Sequence, residues 1–213
     1  MQRLEQALQN QGYHVVNIDY PSTEYGIEYL ADMAVSNGIS VCEEKGANVV
    51  HFVTHSLGGI LTRYYLEKNR LDKLGRIVML GPPNQGSEVT DALEDQLLYR
   101  YFFGPAGQQL GTDPDSFVNS LGPVSYPVGV IVGSEAAFFD RYFSDIIPGK
   151  DDGKVSVERA KVKGMSDFLI LPYAHPYIME EDEVISQTLH FLKHGSFLHQ
   201  RDSDFAGSDN GEQ

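Results

Sequence analysis

The stretch that most constrains this chain runs from Asn48 to Tyr65. An apolar run, Asn48-Val49-Val50-His51-Phe52-Val53, meets Thr54-His55-Ser56-Leu57-Gly58-Gly59 and passes into the helical spacing Ile60, Leu61, Tyr64, Tyr65. A buried strand that turns into a helix at a serine reads as a nucleophile elbow. The reason is steric: a serine on a tight strand-to-helix turn projects its hydroxyl above the sheet, and small residues on either side let the two backbones pass. Gly58 meets that need after the serine. Before it, Thr54 stands where the customary glycine would be, so Gly-x-Ser-x-Gly is broken at its first position. A helix-capping serine ahead of a glycine pair is the plainer reading of the same residues, and the strand-to-helix setting favours the elbow.

The rest of the chain reads as alternating helix-like and strand-like patterns, the signature of a parallel sheet wrapped by helices. Leu4 and Leu8 lie one helical turn apart before Gly12, and Tyr13 to Asp19 reads as a buried strand ended by Pro21. Ile27, Leu30, Ala31 and Ala34 share one helical face, closed by Gly46. Later strands are expected at Ile77 to Leu80, Val128 to Val132 and Phe168 to Leu171. A last helix is expected over roughly Asp182 to Lys193, with acidic residues at its start and Gly195 past its end. With 213 residues and 41% hydrophobic side chains, residues 1–199 are expected to form one domain with a sizeable core, and the polar, acidic stretch 200–213 a disordered tail.

Charge and cysteine content narrow the functional classes. Thirty acidic against sixteen basic side chains give a formal charge of -14, which opposes phosphate backbones and anionic lipid surfaces, so nucleic acid is excluded as a partner. The single cysteine, Cys42, cannot form an internal disulfide and is expected to be a buried structural thiol. No stretch approaches the ~18 apolar residues of a membrane span and no signal-like start is present, so the default expectation is a cytoplasmic protein without a stable membrane span.

A serine hydroxyl is a weak nucleophile and needs a histidine base held by an acid. Asp151-Asp152-Gly153-Lys154-Val155-Ser156 follows the strand Val128 to Val132, and His175 follows the next. The order serine, acid, histidine is that of an α/β-hydrolase sheet. The chain resembles bacterial α/β-hydrolase lipases and esterases, including those similar to glycosylphosphatidylinositol inositol-deacylases. Three segments carry the resemblance: Thr-His-Ser-Leu-Gly-Gly at 54–59, Gly-Pro-Pro-Asn-Gln-Gly-Ser at 81–87 and Asp-Gly-x-Val at 152–155. It extends from about Gly12 to Lys193. It implies Ser56 as nucleophile, Asp152 as orienting acid and His175 as general base, with no cofactor and no metal. Asp151 is the near rival for the acid and Glu135 a weaker one. His51, His55, His190, His194 and His199 are expected to be structural or exposed, and His14 sits near a strand start with no partner that the sequence names. Similar lipases often carry a histidine where Asn84 stands; Asn84 and Gln85 line a pocket mouth or simply form a tight turn.

Two regions depart from the resemblance. Between Asn84 and Pro127 strand character is lost and the cluster Leu97-Leu98-Tyr99-Arg100-Tyr101-Phe102-Phe103 appears. This reads as an insertion at about 84–127: either a lid whose Tyr99, Phe102 and Phe103 contact an acyl chain, or an ordinary helix packed on the core. At the front, the strand that would supply one of two oxyanion-hole amides is missing, which leaves the N–H of Leu57 as the assignable donor. The chain is therefore expected to be an amino-terminally shortened member of this family, with N-terminal strands missing. Either a gap near 10 Å or a displaced pairing should lie between Tyr13–Asp19 and Asn48–Val53. The implied activity is hydrolysis of carboxylic, lipid or other acyl, esters. An acyltransferase or thioesterase using the same three residues, and a silent hydrolase-like module without a complete oxyanion hole, are the alternatives.

Overall fold

The structure is a computed structural model that describes residues 1–93 and 95–199, the side chains of 97–102 excepted. In chain order its helices and strands are α1 (Gln2–Asn10), α2 (Ile27–Glu44), β1 (Val50–His55), α3 (Leu57–Lys68), β2 (Leu74–Leu80), α4 (Glu88–Leu93), α5 (Leu97–Gln108), α6 (Phe117–Ser120), β3 (Val128–Gly133), α7 (Arg141–Ser144), β4 (Asp167–Leu171) and α8 (Asp182–His194). The four strands form one sheet in the order β1-β2-β3-β4, and every neighbouring pair is parallel. The expected tail at 200–213 lies outside the described residues.

Strands buried on both faces need apolar residues at successive positions, and β2 and β3 supply them. Val78, Leu80 and Ile131 turn to one side, where they pack with Leu4 and Leu8 of α1 and with Val184, Ile185 and Phe191 of α8. Ile77, Met79, Val130 and Val132 turn to the other, against Val155, Val157, Ala160 and Val162 of the loop after β3. On that side Phe52 of β1 also meets the packed pair α2 and α3, through Ile27, Leu30, Ala31, Ile60 and Leu61. Because all four strands run the same way, the segments that follow them collect at one edge of the sheet.

One expected strand does not form. Residues 13–19 belong to no strand, and among the described residues no hydrogen bond joins them to β1, which is the sheet's edge. They run beside β1 in the same direction. The Tyr13 ring is 5.9 Å from that of His51 near the start of β1, and the Tyr20 hydroxyl reaches Gly58 just past its end. Between the two lies a groove of about 630 Å³, walled by residues such as Leu4, Val15, Ile18, Val35, Val53 and Leu61. Among the described residues no later segment fills it, and the described structure has the expected gap in place of a displaced pairing. The Ser56 N–H donates to the Leu80 carbonyl. Strand backbone groups alternate in direction, so those of Val53 and His55 face the groove. Cys42, expected to be buried, stands half-exposed on the groove wall. Partial burial, then the nearby Glu43, raises its pKa, which disfavours the reactive thiolate.

The segment 84–127, expected to lack strands, carries α4, α5 and α6, and α5 is kinked at Gly104. It is tied to the elbow helix through Arg63. That side chain is 5% exposed and donates to the Asn84 carbonyl at 2.8 Å, the Asn84 Oδ1 at 3.1 Å, and the Leu121 and Gly122 carbonyls at 3.4 and 3.3 Å. Asn84 in turn donates to the Ala160 carbonyl, and Gln85 to those of Glu158 and Lys161. Both residues act as struts between loops. Replacing Arg63 by Leu leaves four acceptors without their donor and should lower the unfolding free energy by about 2–4 kcal/mol in urea titrations. The exposed Arg70, paired only with Asp72, serves as control: Arg70→Leu should change it by less than about 0.5 kcal/mol.

Candidate active site

β1 ends at His55 and α3 begins at Leu57, which leaves Ser56 alone to turn the chain. It does so at φ 52, ψ -122, the one positive φ among the described non-glycine residues. Such backbone is strained for a side-chain-bearing residue and persists only where its surroundings enforce it. The N–H of Leu57 opens α3, where first-turn amides have no intrahelical acceptor, so it is free to meet a negative oxygen beside Ser56. Thr54 lies opposite the bare glycine pair that opens α3. A Cβ on Gly58 would come within 3.5 Å of the Thr54 Cβ. One on Gly59 would stand 3.2 Å from the Pro82 Cβ and 3.5 Å from the Thr54 Oγ1, a buried oxygen that has no hydrogen-bond partner.

The loops after β3 and β4 bring Asp152 and His175 together. Asp152 Oδ2 lies 2.8 Å from His175 Nδ1, while its Oδ1 accepts from the amides of Lys154 at 3.0 Å and Val155 at 2.9 Å. The His175 amide also donates to the Asp152 carbonyl at 2.9 Å. A carboxylate only accepts, so His175 Nδ1 carries the proton and Nε2 is left with its lone pair. The rival acids are placed otherwise. Asp151 Oδ1 accepts from the Ser144 hydroxyl at 2.6 Å and the Gly153 amide at 2.7 Å, holding the turn, and Glu135 is exposed.

His55, the residue before Ser56, connects the elbow to this pair. Its ring centroid is 4.7 Å from that of His175, and its Nε2 donates to the His175 carbonyl at 3.0 Å. The other histidines lie elsewhere. His51 accepts from the Arg76 amide, His190 bonds the Ser196 carbonyl and His199 pairs with Asp167. Phe103 is 39% exposed, with the Lys154 ammonium 5.8 Å from its ring, whereas the side chains of Tyr99 and Phe102 lie outside the described residues.

Two residues were missed in the sequence. Gly81 sits at φ +55, where a Cβ would lie 2.9 Å from His175 Nδ1 and 3.0 Å from Asp152 Oδ2. At Gly133 a Cβ would stand 2.0 Å from the Tyr173 carbonyl oxygen and 2.7 Å from the Asp152 Cβ. Each glycine directly ends an apolar strand run, and that repeated pattern was the available signal.

No protein-family model and no curated protein matches the chain. Solved structures do. The mature form of lipase BlEst2 of Bacillus licheniformis superposes with a TM-score of 0.70 at 18% identity, over 89% of this chain and 83% of that one. Its propeptide form gives 0.72 at 16%, over 92% and 47%. Phospholipase PlaB of Legionella pneumophila gives 0.61 at 19%, over 94% and 57%, so the chain spans about half the length of these last two. The chain has the α/β-hydrolase fold. In this fold the segments after the parallel strands share the carboxyl edge, and Ser56, Asp152 and His175 stand on the segments that follow β1, β3 and β4.

Desolvation, reinforced by the His175 charge, pushes the pKa of His55 down to about 3, from the usual 6.5. Between those values the unfolded chain binds a proton that the folded one refuses. Stability from this group is therefore full above pH 6.5 and is lost as pH falls toward 3. Tm should drop between pH 7 and 5, and His55→Gln should flatten that slope.

Proposed function

We propose that this chain is a serine hydrolase of carboxylic esters, working through Ser56, His175 and Asp152. The observations that carry the reading are a strained serine on a strand-to-helix turn and, after later strands of the same parallel sheet, a histidine whose Nδ1 is held 2.8 Å from a fully buried carboxylate. The Ser56 Oγ bonds to the ester's carbonyl carbon as its proton passes to His175 Nε2, and the new oxyanion meets the Leu57 amide. Asp152 steadies the imidazolium without taking a proton. Collapse breaks the carbon–oxygen bond, and the departing alkoxide takes the proton from His175. Water then repeats the sequence on the acyl-enzyme and releases the acid. The lipase and phospholipase likeness supports acyl or lipid esters as the substrate class, with Phe103 of the lid-like segment 84–127 along the acyl path.

A second reading, a catalytically silent hydrolase-like module, is favoured by one observation: β1 has an open edge where a neighbouring strand would bring a second oxyanion donor. The loss of one donor costs about 10²–10³ in turnover.

Turnover of p-nitrophenyl butyrate decides between them. Ser56→Ala should abolish it together with labelling by a fluorophosphonate, and Asp152→Asn should lower it about 10⁴-fold by fixing the wrong imidazole tautomer. A folded wild-type chain that neither turns over the ester nor takes the label is the silent module. Gly81→Ala should cut turnover at least ~10²-fold by displacing the His175–Asp152 pair, since an ångström of misplacement has that effect.

A further inference from the structure

The loop that carries His175 crosses the carboxyl ends of three strands. β4 lies at one edge of the sheet and β1 at the other, with β2 and β3 between them, so their backbones stand about 14 Å apart at ordinary strand spacing. No hydrogen bond within the sheet can therefore join the strand that leads into Ser56 to the strand that leads to His175. The chain makes the crossing over glycines. A Cβ on Gly133, the last residue of β3, would run into the Tyr173 carbonyl oxygen, and one on Gly81, just past β2, would stand 2.9 Å from His175 Nδ1. Beyond them the loop reaches His55, the last residue of β1. There the two imidazole rings face each other at 4.7 Å with 45° between their planes, and His55 Nε2 donates to the His175 carbonyl oxygen at 3.0 Å. Among the described residues this is the one hydrogen bond between residues 50–59 and 167–178.

We propose that His55 is a positioning residue for ester hydrolysis, fixing His175 relative to Ser56, the next residue in the chain. The role rests on the ester-hydrolase reading of Ser56, His175 and Asp152. His175 has four polar groups, and three of them are held. Its amide donates to the Asp152 carbonyl, its Nδ1 to Asp152 Oδ2, and its carbonyl accepts from His55, which leaves Nε2 for chemistry. Both Asp152 contacts tie the base to the loop after β3. The His55 contact ties it to the strand that carries the serine, because His55 is hydrogen-bonded to His175 and covalently joined to Ser56. The bond also dictates a tautomer. A carbonyl only accepts, so His55 Nε2 carries a proton. Burial holds the ring uncharged, with a pKa of about 3, so its Nδ1 carries none. Of the two facing imidazoles only His175 is then left to take a positive charge, as a base must when the serine proton arrives.

Steady-state turnover of p-nitrophenyl butyrate by the wild-type chain, His55→Gln and His55→Leu is the test. Leucine fills much of the ring's space and donates nothing, whereas glutamine keeps an N–H donor on a side chain of similar reach. His55→Leu should lower kcat by ~10²-fold or more with KM within about twofold of wild type, and His55→Gln should recover kcat to within about tenfold. Wild-type kcat in His55→Leu overturns the proposal. So does an equal loss in both variants, which would make the ring's bulk the requirement, or a raised KM with kcat unchanged, which would place His55 against the substrate. Nitrogen NMR of the unmutated chain with labelled histidine rings gives a reading for which no variant has to fold. His55 should show a protonated Nε2 and a bare Nδ1 at neutral pH, and the opposite tautomer overturns the proposal. A folded wild-type chain that turns over no ester refutes the hydrolase reading and the role built on it, whereas an active chain with an unaffected His55→Leu variant refutes the role alone.

Discussion

A carboxylate shut away from water must have its charge answered inside the protein, and Asp152, with no exposed surface, is answered from three sides. Two of its partners are amides, of Lys154 and Val155, and these can point inward only if residues 152–155 form a tight turn, which the Asp152 amide closes on the Val155 carbonyl. The third is His175, whose own amide returns to the Asp152 carbonyl. The loops after β3 and β4 are therefore locked to each other through one side chain. Gly81 and Gly133 leave the room in which that lock sits, and Lys154, drawn out on the far side of the turn, braces Asp140 and Phe143.

The broken elbow pattern is accommodated without a clash. A Cβ on Gly58 or Gly59 would meet Thr54 only at ordinary contact distance, and the tightest space at that helix start, 3.2 Å, lies between Gly59 and Pro82. Carrying Thr54 leaves a buried hydroxyl oxygen without a partner. Arg63 then holds α3 to the loop after β2, so the helix cannot swing to relieve the turn.

What could be read from the sequence was whatever depends on neighbours along the chain. The turn at Ser56, the apolar alternation of β2 and β3, and the acid-glycine turn at 152–153 are all local, and each lies where the pattern put it. Pairing is different. Tyr13 to Asp19 has the composition of a strand, but a strand exists only with a partner, and β1 stands across an open groove. Asn84 and Gln85 were ambiguous for a related reason: what they hold is set by carbonyls at 158–161, far away in sequence. Gly81 and Gly133 were overlooked because their role is the absence of an atom, visible only once the His175–Asp152 pair occupies the space.

The groove beside β1 also determines what can touch the sheet's one unguarded edge on that side. Bare strand edges invite other molecules to join, and proteins usually blunt them with charge, proline or a covering helix. Here the protection is a wall. Residues 13–20 stand along the opening, backed by α2, so the backbone of Val53 and His55 lies at the bottom of a trench. A neighbouring sheet that approaches β1 edge to edge meets that wall first. The fold thus discourages stacking by obstruction instead of by charge.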